Sequence, residues 1–215
     1  MGTIFILPGA STTALIMNPR HAIASLLFAL CLPVCAAEDH ARARQIIGAK
    51  CFLCHGTSGE SSSEVYPRLA GQNAAYVAKQ LRDFQTGRRK GTTMNDMVAG
   101  LSAGDLEALG RFFAAQGAEP HAPADPDLAA MGRSLYAKGN AFSGGAACAT
   151  CHGPGAAGTE QLPRLAGQQP GYLAEQLRLF DRRERNNDNA VMHSIAAKLT
   201  ALEIRALAEY LAALP

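Results

Sequence analysis

Apolar positions recur at helical spacing along the chain, and the order of the stretches they define repeats once. Residues 41–50 have helical composition, with Ile46 and Ile47 available for an apolar face. Tyr76, Val77, Gln80, Leu81 and Phe84 predict a second helix over 73–84, with Asn73 as its N-cap. Leu106, Leu109, Phe112 and Phe113 predict a third, starting at Ser102 and ended by Gly117, with Asp105 in the first turn where negative charge suits the dipole. In the second half, Asp127 begins a helix through Leu128, Met131, Leu135 and Tyr136. A further one carries Tyr172, Leu173, Leu177 and Phe180. The last carries Leu202, Leu207, Tyr210 and Leu211 behind a Thr200–Glu203 capping-box pattern. Every element predicted is a helix.

The repeat is also visible between the helices. Pro67-Arg68-Leu69-Ala70-Gly71-Gln72 returns as Pro163-Arg164-Leu165-Ala166-Gly167-Gln168, and Met94 to Ser102 returns as Met192 to Thr200. The chain therefore reads as a tandem duplication: a first domain over 38–118, a linker over 119–126 whose prolines keep it out of helix, and a second domain over 127–215. Residues 1–37 fit neither copy. Arg20 and His21 precede an apolar run from Ala22 to Val34, then Cys35, Ala36 and Ala37, which is the order of a secretory signal peptide cleaved after Ala36 or Ala37. Translation from Met17 would give a more compact leader. A retained anchor is the competing reading, and the run is short for one.

The stretch most sharply repeated carries chemistry: Cys51-Phe52-Leu53-Cys54-His55 and Cys148-Ala149-Thr150-Cys151-His152. Two thiols at that spacing can be linked to the vinyl groups of a haem while the adjacent imidazole reaches the iron. A zinc half-site or a thioredoxin-like pair would explain one C-x-x-C, but not two copies each followed by His. Composition agrees. Trp is absent and aromatics are sparse, so two small cores would be marginal unless each buried a large apolar group such as a haem. The formal net charge of +2, with no basic run interleaved with aromatics, excludes a nucleic-acid surface. Cys31 and Cys35 lie in the leader, so the motifs consume the other four cysteines and no structural disulfide is expected.

A haem iron with one histidine has a second face to fill, and a thioether there favours the ferrous state. Aligning the halves on the Leu before each third helix puts Met94 opposite Met192 and Met97 opposite Ile195, so Met94 is the expected ligand and Met97 packs nearby. His193 is the alternative to Met192. His40 and His121 are expected to be solvated. Pro67 and Pro163, 12 and 11 residues after the histidines, are placed to offer a carbonyl to the far ring nitrogen of His55 and His152. Arg68, Arg88, Arg89, Arg164, Arg182 and Arg183 are candidates to neutralise haem propionates.

On these residues both halves resemble class I cytochromes c, and the pair resembles the periplasmic dihaem cytochrome c4 group. The resemblance rests on Cys51–His55, Pro67–Gln72 and Met94 with Leu101-Ser102, and on their twins Cys148–His152, Pro163–Gln168 and Met192 with Leu199-Thr200. It implies an all-α fold of two class I cytochrome c domains related by pseudo-twofold symmetry, two covalently bound haem c groups held by Cys51, Cys54, Cys148 and Cys151, and iron ligated by His55, Met94, His152 and Met192. The expected role is that of a monomeric periplasmic electron carrier. Its partners would be transient: a respiratory complex or dehydrogenase as donor and a terminal oxidase as acceptor, with peripheral membrane association possible and no nucleic acid. Two rivals stand beside it. A fixed haem subunit of a membrane-bound or dehydrogenase complex would show a retained anchor or stable co-purification. A dihaem peroxidase would need an open sixth position.

Overall fold

The computed structural model describes residues 38–61 and 63–215. The signal peptide, its cleavage at Ala36 or Ala37 and the Met17 start lie outside those residues. Helix α1 covers 38–46 and continues through a π-helical turn, Ile47–Cys51, into α2 (Phe52–His55). There follow α3 (Ala74–Gln85), α4 (Met94–Met97) and α5 (Ala103–Ala114). The second half repeats the series as α6 (Pro126–Lys138), α7 (Ala149–His152), α8 (Pro170–Asp181), α9 (Val191–Ala196) and α10 (Ala201–Ala212). Among the described residues the one break from helix and turn is an isolated bridge, Asn140 to Gly145, in the glycine-rich loop before Cys148.

Each half buries its own apolar stripe. Ala43, Ile46 and Ile47 of α1 pack with Val77 of α3 and with Ala108, Leu109, Phe112 and Phe113 of α5. Tyr136 of α6 packs with Leu173 and Ala174 of α8 and with Ile204, Leu207, Ala208 and Leu211 of α10. The crossing of α6 over α10 is close because Gly132 has no side chain: a Cβ there would overlap the Ala206 carbonyl. A glycine inside a helix is unfavourable by roughly 0.5–1 kcal/mol, so the close contact must outweigh that loss.

Helix starts follow the sequence with two refinements. The Thr200–Glu203 capping box is present, with bonds of 3.2 and 2.8 Å, and Ser102–Asp105 forms a second one at 3.1 and 2.9 Å. Helix α6 begins at Pro126 rather than Asp127. Asp125 caps it, accepting from Asp127 N and Leu128 N, and a proline at the first helical position gives up no bond.

The repeated Pro-Arg-Leu-Ala-Gly-Gln segments join the halves by reciprocal exchange. Gln168 accepts from Arg68 N at 2.7 Å and donates to Arg68 O at 2.9 Å; Gln72 does the same to Arg164, at 2.7 and 2.8 Å. This is pseudo-twofold symmetry written in hydrogen bonds. Asn73 was expected to cap α3. It stands at that position, but its amide instead donates across to Ala157 O, Thr159 O and Leu162 O. Gln169, the matching residue, donates to Ser61 O. The arginine of the first segment is committed here too: Arg68 donates to Gly167 O at 2.6 Å, Glu60 O at 3.1 Å and Glu119 O.

Two outcomes follow. Gly132→Ala should destabilise the protein by roughly 1–3 kcal/mol, as overpacking does, whereas Gly48→Ala, with nothing within 4 Å of its Cβ, should be near neutral; thermal unfolding separates them. Second, the Arg42 guanidinium, with Ser102 N–H, holds the Asp105 carboxyl down at about 2 from 3.8. A depressed carboxyl contributes stability that is present above its unfolded value and lost as pH falls toward its folded one. Asp105→Asn should therefore be less stable than the parent at neutral pH, and its unfolding temperature should change less between about pH 4 and about pH 2.

Candidate functional site

Each C-x-x-C-H motif is a single helical turn delivered by the packing just described. In the first half the π-helical turn Ile47–Cys51 brings α1 into α2, so Cys51, Cys54 and His55 follow a helix whose face is already fixed in the core. In the second half the loop after α6 does this, and Tyr136, 1% exposed, steadies it by donating its hydroxyl to Gly153 O. Burial pushes that phenol up to about 12, so it remains a donor.

Both histidines are buried, and each is tethered through one ring nitrogen. His55 Nδ1 donates to Pro67 O at 2.9 Å and His152 Nδ1 to Pro163 O at 3.3 Å, as the spacing led one to expect. Donation from Nδ1 selects the tautomer with a lone pair on Nε2, which among the described residues has no hydrogen-bond partner. Burial pushes both imidazoles down toward the neutral form, against the smaller upward effect of the proline carbonyls. The tautomer and charge state required of a metal ligand are thus preset.

The methionine segments are held near these turns. Lys50, next to Cys51, donates to Met97 O and Ala99 O, both at 3.3 Å. In the second half Lys198, just after α9, donates to Gly144 O in the loop before Cys148 at 2.8 Å. The register between the halves is visible in space. Asn95 donates to Phe84 O, at the end of α3, and His193 Nδ1 donates to Phe180 O at 3.0 Å, at the end of α8. Residues 95 and 193 are therefore equivalent, which sets Met94 opposite Met192. His193 also accepts from Arg183 Nε at 3.0 Å through Nε2, so both of its ring nitrogens are engaged.

Several other expectations change. His40 packs its ring against Phe112 at 5.0 Å, and the buried His121 Nε2 has no hydrogen-bond partner among the described residues, so neither is simply solvated. Burial and the nearby Arg68 charge push His121 down. Arg68 and Arg164 bond backbone carbonyls, Arg182 pairs with Glu175 and Glu184, Arg183 bonds His193, and Arg88 lies 3.8 Å from Asp83. Of the arginines expected at propionates, Arg89 bonds Gln80, Tyr172 and Gln176 in the seam between the halves, and it is joined there by Arg185, which sequence reasoning passed over.

The donor set fits a covalently attached haem. Cys51, Cys54, Cys148 and Cys151 are free thiols, each pair shares a turn with a histidine whose Nε2 is open, and each half has a methionine segment close by. Among the described residues no three His, Cys, Asp or Glu side chains converge as a metal cluster, so the thiols are not arranged as zinc ligands.

Comparison with known proteins agrees. The cytochrome c family model matches residues 129–215. Cytochrome c4 of Pseudomonas aeruginosa is 38% identical over 194 residues, which is 88% of this chain and 96% of that protein. The thiosulfate dehydrogenase electron acceptor of Thiomonas intermedia is 36% identical over 172 residues, or 78% of this chain and 79% of that one. The crystal structure of reduced recombinant cytochrome c4 from Pseudomonas stutzeri superposes with a TM-score of 0.76 at 35% identity, covering 80% of this chain and 97% of the other.

The tether at Gly153 can be tested directly. Tyr136→Phe leaves a carbonyl without its donor, and urea unfolding should show a loss of about 1–3 kcal/mol.

Proposed function

This chain belongs to the cytochrome c4 family, and on that premise we propose that it is a periplasmic carrier moving single electrons from a dehydrogenase or respiratory complex to a terminal oxidase or similar acceptor. It is a dihaem electron-transfer cytochrome with covalently bound haem c. Each haem sits in one of two domains, 38–118 and 127–215, on Cys51, Cys54 and His55 and on Cys148, Cys151 and His152. The bound haem supplies a reversible one-electron iron couple.

The residues around it do the rest. Pro67 and Pro163 carbonyls orient the proximal imidazoles and raise their basicity. Met94 and Met192 would supply the second iron ligand in each half, and a thioether there would favour ferrous iron and a high potential. With His55 and Met94, and His152 and Met192, as ligands, no position would be left for a substrate, and partners would be met in small transient interfaces. The observation that supports this reading best is the matched anchoring of Asn95 and His193, which gives each half one methionine at the same place in the fold.

Export follows from the leader, which is cleaved to release a monomer. Among the described residues no helix is long and apolar enough to cross a membrane. The relative named as a thiosulfate dehydrogenase electron acceptor supports a dehydrogenase as donor, and a lasting complex with one is the second reading.

Met94→Ala should abolish about half of the ferric methionine-to-iron absorption band and create one carbon monoxide-binding haem. Met192→Ala should do the same for the other haem, and Met97→Ala should leave the band intact. A band unchanged in Met94→Ala would overturn that assignment.

A further inference from the structure

The loops that follow the two C-x-x-C-H turns start alike and close differently. In each, the N–H six residues after the histidine donates to the histidine carbonyl at 3.0 Å, Ser61 to His55 and Gly158 to His152, so Ser61 and Gly158 are equivalent. Both take a positive φ, 44° and 70°. At Ser61 a side chain fills the space. It is 3% exposed, and its hydroxyl lies 3.3 Å from Cys54 O, 3.2 Å from Ser63 O and 3.0 Å from Tyr66 O, the carbonyl just before Pro67. The first loop is thereby pinned to its own cysteine turn. At Gly158 no side chain fits, because a Cβ would overlap the carbonyls of Leu162 and Pro163.

The second loop takes its donor from the other half. Asn73 donates from Nδ2 to Thr159 O at 2.6 Å, to Leu162 O at 2.9 Å and to Ala157 O at 3.1 Å. Leu162 O is the counterpart of Tyr66 O, the carbonyl just before the proline, and it also accepts from Thr159 N at 3.0 Å. Traffic in the reverse direction is lighter: among the described residues Gln169, which matches Asn73, reaches one carbonyl of the first loop, that of Ser61. The peptide group after each of these closures is the one that holds the histidine, with Pro67 O 2.9 Å from His55 Nδ1 and Pro163 O 3.3 Å from His152 Nδ1. Because Leu162 and Pro163 are consecutive, a donor that fixes the first carbonyl also places the second.

We propose that Asn73 of the first half is a positioning residue for His152 of the second, whereas Ser61 does this work for His55 from within its own half, so that loss of either side chain disturbs one haem and a different one in each case. This rests on the two-haem carrier reading and adds to it an inequality between the sites. The bond from Nδ1 raises the basicity of the imidazole, and a more basic ligand favours ferric iron. Loosening it therefore raises the potential of the haem concerned. Asn73 is half-buried, so water replaces part of its donation and the effect is modest.

The test uses the haem-loaded protein, with optical redox titration and with solvent exchange of the two histidine Nδ1 protons followed by NMR in the reduced state. Two high-potential steps in the parent test the carrier reading separately from Asn73. In Asn73→Ala, and in Asn73→Ser, which keeps a residue suited to a helix N-terminus, the His152 proton should exchange about tenfold faster while that of His55 is unchanged. The reduction equilibrium constant of one haem should rise about threefold, ~30 mV for one electron. Ser61→Gly, which keeps a residue at ease with a positive φ, should do the converse: faster exchange at His55, none at His152, and a rise in the potential of the other haem. Unchanged exchange at His152 in both Asn73 variants, or equal acceleration at both histidines, would overturn the assignment.

Discussion

One short backbone segment couples the C-x-x-C-H histidines to the fold. The carbonyl of Pro67 accepts from His55, and the next residue, Arg68, is gripped at both its N–H and its carbonyl by Gln168 of the other half. Pro163 and Arg164 repeat the arrangement with His152 and Gln72. The C-x-x-C-H histidine of each half is therefore oriented by a stretch of chain that the opposite half holds in place. Neither haem site is complete as a property of its own half, and the duplication has been turned into mutual bracing.

That constraint explains where polar groups are spent. Buried glutamines would be costly without partners, and Gln72 and Gln168 satisfy both amide groups on backbone across the junction. Asn73 and Gln169 send their amides the same way, toward the loops that follow the opposite C-x-x-C-H turn. The seam is thus polar and directional while the apolar stripes remain within each half, a division that fixes relative orientation without merging the two cores.

Much of this was legible from residues alone. Helical periodicity found the long helices, the duplicated C-x-x-C-H turns identified the cofactor chemistry, and the proline spacing anticipated the histidine tethers. What escaped were side chains whose partners belong to the other half. Asn73 carries a capping residue's signature and spends its amide elsewhere; Arg68 looks like a loop cation and binds three carbonyls; Arg185 has no local pattern to mark it. His193, weighed against Met192 as a ligand, bonds Phe180 O and Arg183 Nε, two partners that no local pattern marks. Periodicity reports a residue's own helix, and a pseudo-twofold seam is made from residues a hundred positions apart.

The central claim is that both irons are closed by protein ligands in a pair of mutually braced sites that exchange electrons and bind no substrate. Optical redox titration of the mature haem-loaded protein, followed by exposure of the reduced form to carbon monoxide, tests it most directly. The account predicts two one-electron steps at high potential and no carbon monoxide adduct. A low-potential step, or a haem that binds carbon monoxide in the parent protein, would contradict it.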